Sequence, residues 1–83
     1  MYDLRIPQIV KRFIKKLPEI YRQSAISALS EISDDPGQGK PLIKELKGYY
    51  SYQFGPYRLI YKFSVKNRIV EIVKLNHRRL VYN

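Results

Sequence analysis

Cysteine is absent from the 83-residue chain. That excludes a disulfide framework, a thiolate nucleophile and any metal site built on cysteine. Histidine occurs once, as His77, and neither a metal site nor a small-molecule cofactor is expected. No apolar run approaches the roughly 20 residues needed to span a membrane. No secretory signal is visible, because Met1 is followed at once by a charged, strand-like segment, so a cytoplasmic protein is expected. Acidic residues are scarce: 7 Asp and Glu stand against 16 Lys and Arg, for a net charge of +9. The imbalance is local. Residues 1–35 hold six basic and five acidic residues, whereas residues 36–83 hold ten basic and only two acidic, Glu45 and Glu71. A field this one-sided draws polyanions: nucleic acid, acidic protein or anionic lipid. A membrane-surface role is disfavoured, since the cations fall mostly in strand-like sequence rather than on one amphipathic helix.

What is present is enough for one domain, residues 1–83. The hydrophobic content of 45% is ordinary for a folded chain, so disorder is rejected. A domain this short buries a smaller share of its surface than a larger one, so its stability margin is thin. Eight tyrosines and three phenylalanines supply large apolar side chains. Tyr2 to Ile6 reads as a short strand. Ile9, Val10, Phe13, Ile14 and Leu17 then recur at helical spacing, with Lys11, Arg12, Lys15 and Lys16 on the other side. Pro7 and Pro18 suit helix starts. Tyr21, Ala25, Ala28, Leu29 and Ile32 mark a second helix, which Ser33 to Gly37 stops. Residues 37–48 read as a loop anchored by Leu42, Ile43 and Leu46. From Tyr49 the period becomes that of strands: Tyr49–Phe54, Tyr57–Ser64 and Arg68–Leu75, joined at Gly55-Pro56 and Lys66-Asn67. His77 to Tyr82 forms a last short segment.

The expected fold is therefore α+β, with an N-terminal strand and a helical hairpin packed on one face of a small antiparallel sheet. A two-residue turn at Gly55-Pro56 sets Phe54 opposite Tyr57 and Gln53 opposite Arg58. Alternation then places Tyr50, Tyr52, Phe54, Tyr57, Leu59, Tyr61 and Phe63 on one face, toward the helices. Ser51, Gln53, Arg58, Ile60 and Lys62 share the other, polar face, which is left open for a ligand.

Three segments carry a family resemblance: Leu46-Lys47-Gly48, then Phe54-Gly55-Pro56-Tyr57-Arg58-Leu59-Ile60-Tyr61, then His77-Arg78-Arg79-Leu80-Val81-Tyr82. In this order and spacing they resemble the RelE/ParE superfamily of bacterial toxins over nearly the whole chain. The resemblance implies two helices against a small sheet and an acidic cognate antitoxin as partner. RelE-type members cut mRNA on the ribosome; ParE-type members inhibit DNA gyrase. Tyr82, four residues after Arg78, follows the RelE habit.

RNA cleavage of this kind needs a base for the 2′-OH, an acid for the leaving 5′-oxygen, and cations on the phosphate. The resemblance assigns Arg58 to phosphate neutralisation, Arg78 to the leaving group and Tyr82 to stacking on a base or orienting the nucleophile. His77 has the one side chain that ordinarily titrates near neutrality, which makes it the candidate proton acceptor. Lys47, Gln53, Lys62 and Arg79 are candidate RNA contacts. One departure stands out. Well-known members carry two lysines where this chain has Ser51 and Gln53, and neither replacement is a base at neutral pH. The base must then be His77, Tyr82, Lys47 or Lys62. The same departure feeds two competing readings, a gyrase-binding inhibitor and an inactive antitoxin-binding relic.

Overall fold

The computed structural model describes residues 1–77. Strand β1 (Asp3–Arg5) is followed by helices α1 (Gln8–Lys15) and α2 (Glu19–Asp34). Strands β2 (Lys40–Pro41), β3 (Tyr50–Phe54), β4 (Tyr57–Ser64) and β5 (Ile69–His77) complete the chain order, with 3-10 turns at Pro36–Gln38 and Lys44–Leu46. The expected α+β layering is present.

Both helices begin at prolines. Pro7 and Pro18 sit at the N-cap positions with extended backbone, ψ 150° and 149°, where a missing N–H leaves no helical bond unmade. Val10, Ile14 and Leu17 turn inward from the first helical segment, but Ile9 is 72% exposed and Phe13 42% exposed. The apolar stripe of α1 is thus narrower than its spacing suggests. From α2, Ala25, Ala28 and Ile32 are buried. Small alanines let the helix lie close to the sheet. Ser33 ties its end to the first strand: the Ser33 hydroxyl donates to the Tyr2 carbonyl at 2.6 Å, and the Tyr2 amide donates to the Ser33 carbonyl at 2.8 Å.

The sheet order is β1-β5-β4-β3-β2. The β3–β4 register pairs Gln53 with Arg58 and Phe54 with Tyr57, as the two-residue turn requires. Gly55 has φ 53°, the positive value that a tight hairpin turn asks of its first central residue. Phe54, Leu59 and Tyr61 then join Val70, Ile72, Leu75 and the helix residues in one core cluster, with Tyr50, Tyr52, Tyr57 and Phe63 packed against it.

Four features differ from the sequence-based expectation. The sheet is mixed, because β1 runs parallel to β5, with Leu4 beside Val70; the helical hairpin reverses the chain before it reaches the opposite edge. The loop before β3 contains β2, whose two residues are too few to show any period. The β4–β5 connection spans Val65 to Arg68, longer than Lys66-Asn67 alone, and Arg68 takes a positive φ of 56°. Finally, β5 runs on to His77 and carries a bulge: Ile60 pairs with Lys74 but Tyr61 with Ile72, leaving Val73 as the extra residue. That bulge lets Val70, Ile72 and Leu75 all face the helices despite uneven spacing.

Tyr61 is fully buried at the centre of β4. Its hydroxyl donates to the Pro36 carbonyl at 2.5 Å, which satisfies a polar group that would otherwise be costly to bury. Burial pushes that hydroxyl up to about 12, against the pull of the Gly39 backbone amide. A raised folded-state value stabilises the fold fully below pH 10, where an unfolded tyrosine still holds its proton. The contribution disappears as pH climbs through about 12. Urea unfolding of the parent protein should therefore show stability falling between pH 10 and 12, and Tyr61→Phe should be less stable at pH 8 with a shallower alkaline decline. Equal slopes in the two proteins would remove Tyr61 from the explanation.

Candidate functional site

The face of the sheet away from the core cluster is organised in cross-strand rows. Gln53, Arg58 and Asn76 form one row; Lys40, Ser51, Ile60 and Lys74 form the next. Further along, Lys62 pairs with Glu71, which pairs with Arg5. Lys62 Nζ also lies 5.7 Å from the centre of the Tyr49 ring. This face is not uniformly polar: Ile60 is wholly shielded and Ser51 is 8% exposed. Leu42, bonded through its amide to the Tyr49 carbonyl at 2.9 Å, is likewise buried outside the helix-side cluster.

Arg58 is half-buried. Among the described residues it makes no ion pair. Glu71 lies 4.0 Å from Lys62 instead, and Asp3 pairs with Arg5 at 3.2 Å. A guanidinium held by a strand, flanked by two neutral amides, keeps its fork available for an external anion. Gln53 is exposed, and its side-chain amide donates to the Gly55 carbonyl at 3.3 Å. Lys62 shares the face with Arg58 but stands four residues further along β4, roughly 13 Å by the strand rise.

Lys47 follows the turn at Lys44–Leu46, at the opposite end of β3 from Gln53. The neighbouring Gly48 has φ 96°, a conformation that side chains disfavour, and the Tyr49 amide closes the turn on the Leu46 carbonyl at 3.0 Å. This accounts physically for the Leu46-Lys47-Gly48 motif. His77 pairs with Tyr57 and not with Arg58. It therefore lies on the helix-side face, its ring 5.6 Å from that of Tyr57, which in turn meets Phe13, Tyr21 and Phe54. The structure thus brings Arg58 and Gln53 together and sets His77 on the other face at the end of the sheet. Arg78, Arg79 and Tyr82 lie outside the described residues.

Lys40, Lys74 and Asn76 share the Arg58 face without having been foreseen. Lys40 depends on a strand of two residues, and Lys74 and Asn76 take their face from the bulge at Val73. None of these has a sequence signal of its own. Among the described residues, no three His, Asp or Glu side chains gather as a metal site would require. No helix in that range is long and apolar enough to cross a membrane.

The fold is shared with solved toxins. A chain in the toxin-antitoxin complex RelBE2 from Mycobacterium tuberculosis superimposes with a TM-score of 0.78 at 33% identity, over 93% of this chain and 98% of that one. A chain of the archaeal RelE-RelB complex from Pyrococcus horikoshii gives 0.78 at 21% identity, over 96% and 98%. The isolated RelE toxin of E. coli gives 0.76 at 18%, over 93% and 84%. At those last two identities the likeness concerns the fold alone. In sequence, the toxin RelG of Mycobacterium tuberculosis is 32% identical over 98% of this chain and 95% of its own length. Residues 5–82 match the model of the ParE toxin of type II toxin-antitoxin systems. With that match and a relative of nearly equal length, the chain belongs to the ParE toxin family of type II toxin-antitoxin systems, within the RelE/ParE superfamily.

Proposed function

We propose that this toxin is an endoribonuclease that cleaves mRNA on the ribosome without a metal. The observation that carries the reading is Arg58: an arginine without an ion pair among the described residues, on a sheet face where the acids Asp3 and Glu71 already have cationic neighbours. Such a face attracts a polyanion and offers a bidentate fork to one phosphate. In the proposed reaction the ribose 2′-oxygen attacks the adjacent phosphorus, the P–O5′ bond breaks, and the 5′-oxygen leaves with a proton. Arg58 holds the phosphate charge. Arg78 assists the leaving group, Tyr82 stacks on a base, and Lys47, Gln53, Lys62 and Arg79 contact the strand. His77 takes the 2′-OH proton. Since it starts from the helix-side face, it does so only where RNA passes over the end of β4 and β5.

A second reading has its own support. The matching family model is that of ParE toxins, and the immediate partners of Arg58 are Gln53 and Asn76, amides that neither take nor give a proton at neutral pH. A basic face without a base suits protein binding, and on this reading the chain inhibits DNA gyrase. On either reading the proposed cellular setting is the cytoplasm, and the proposed partner is an acidic antitoxin; relatives of known structure were solved as toxin-antitoxin complexes.

Single-turnover cleavage on programmed ribosomes separates the residues. Arg58→Ala should lower the rate by about 10² to 10³, as loss of a charge-stabilising donor does, with an unchanged urea midpoint. His77→Gln should lower it by about 10² to 10⁴ if it moves the proton. Parental rates for Arg58→Ala would refute the site. Parental rates for His77→Gln alone would transfer the base role to Lys47, Lys62 or Tyr82.

The antitoxin proposal is tested by titration. Affinity for the cognate antitoxin should weaken steadily as salt rises, because part of it comes from screened charge. Affinity flat from 0.05 to about 1 M salt would argue for an apolar mode instead.

A further inference from the structure

We propose that Lys40 is a phosphate-contacting residue that extends the Arg58 face to the β2 edge; this rests on the RNA reading above. Three observations converge on it. The register sets Lys40 opposite Ser51, hence on the same face as Arg58. Lys40 is exposed and makes no ion pair among the described residues, while Asp3 and Glu71 on that face are taken by Arg5 and Lys62. Its positive charge is therefore uncompensated, as is that of Arg58.

The third observation is how firmly so short a strand is held. Two ladder pairs would not fix β2 on their own. On one side, Gly39 packs so tightly on Tyr61 that an added Cβ would stand 2.2 Å from the hydroxyl oxygen and 3.2 Å from the Ser51 carbonyl. The same hydroxyl grips Pro36 at 2.5 Å. On the other side, Leu42 is 5% exposed and bonded to Tyr49. The backbone of Lys40 is thus clamped between two buried anchors, Gly39 and Leu42. A cation on a fixed backbone loses less freedom when it binds than one on a mobile loop. Strand spacing and rise put the Lys40 and Arg58 Cα atoms roughly 12 Å apart. Two long side chains at that separation hold different phosphates of one strand.

The test is binding of a fluorescent single-stranded RNA oligonucleotide to the full chain across a potassium chloride series. Each phosphate contact contributes about 0.7 to the slope of log affinity against log salt for a single strand. Lys40→Ala should reduce the slope by about that amount, Lys40→Arg should restore it, and Lys15→Ala, on α1, should leave it unchanged. An unchanged slope for Lys40→Ala, or an equal loss for Lys15→Ala, overturns the proposal. So does a Lys40→Ala defect confined to an acidic antitoxin peptide. If Arg58→Ala also binds like the parent, the RNA site itself is wrong; if only Lys40→Ala does, the Arg58 reading stands and the extension falls.

Discussion

The two-residue turn at Gly55-Pro56 pairs Phe54 with Tyr57 and thereby decides which face every side chain of β3 and β4 occupies. A slip of one residue would send Arg58 and Lys62 toward the helices and Leu59 and Tyr61 toward solvent. Two things oppose that slip. The positive φ of Gly55 is available to glycine at little cost, and a Cβ there would come within 3.0 Å of the Tyr21 ring. The aromatic side chains add to this, since Tyr50 stacks on Tyr61 at 5.8 Å and Tyr57 sits among Phe13, Tyr21 and Phe54. Apolar burial on one face thus enforces the cationic display on the other.

That display is polarised more by the placement of acids than by the number of bases. Asp3 and Glu71 lie toward the β1 edge and are each beside a cation, whereas the Gln53–Arg58–Asn76 row has no acid in it. Positive potential is left around Arg58 and across to Lys40. Tyr61 links the two functions of the fold. It is a core residue through its ring and a clamp on the Pro36–Lys40 segment through its hydroxyl.

Much of this was legible in the amino-acid sequence. The helices announced themselves through three- and four-residue apolar spacing, and the faces of β3 and β4 followed from the alternation of Tyr50 to Phe63 about a glycine turn. Other features had no local signal. Strand β2 is only a single period long, the bulge at Val73 depends on which side of β5 the core demands, and the parallel pairing of β1 is settled by the tertiary path of the helices. The adjacency of His77 to Arg58, natural in a linear reading, becomes by alternation a meeting around the end of the sheet: Asn76 is the residue beside Arg58, and His77 lies on the face of Tyr57. Exposure of Ile9 and Phe13 likewise reflects the narrow contact between α1 and the sheet, which spacing alone does not limit. The candidate residues Arg78, Arg79 and Tyr82 lie outside the described residues, so their part in the site rests on resemblance.

The central claim is that this basic face acts on mRNA. It is tested most directly by mapping RNA 5′ ends in cells shortly after expression of the chain, alongside gyrase supercoiling activity in the same extracts. The account predicts new mRNA ends within ribosome-occupied codons and normal supercoiling. Intact mRNA with supercoiling lost would contradict it and assign the Arg58 face to gyrase.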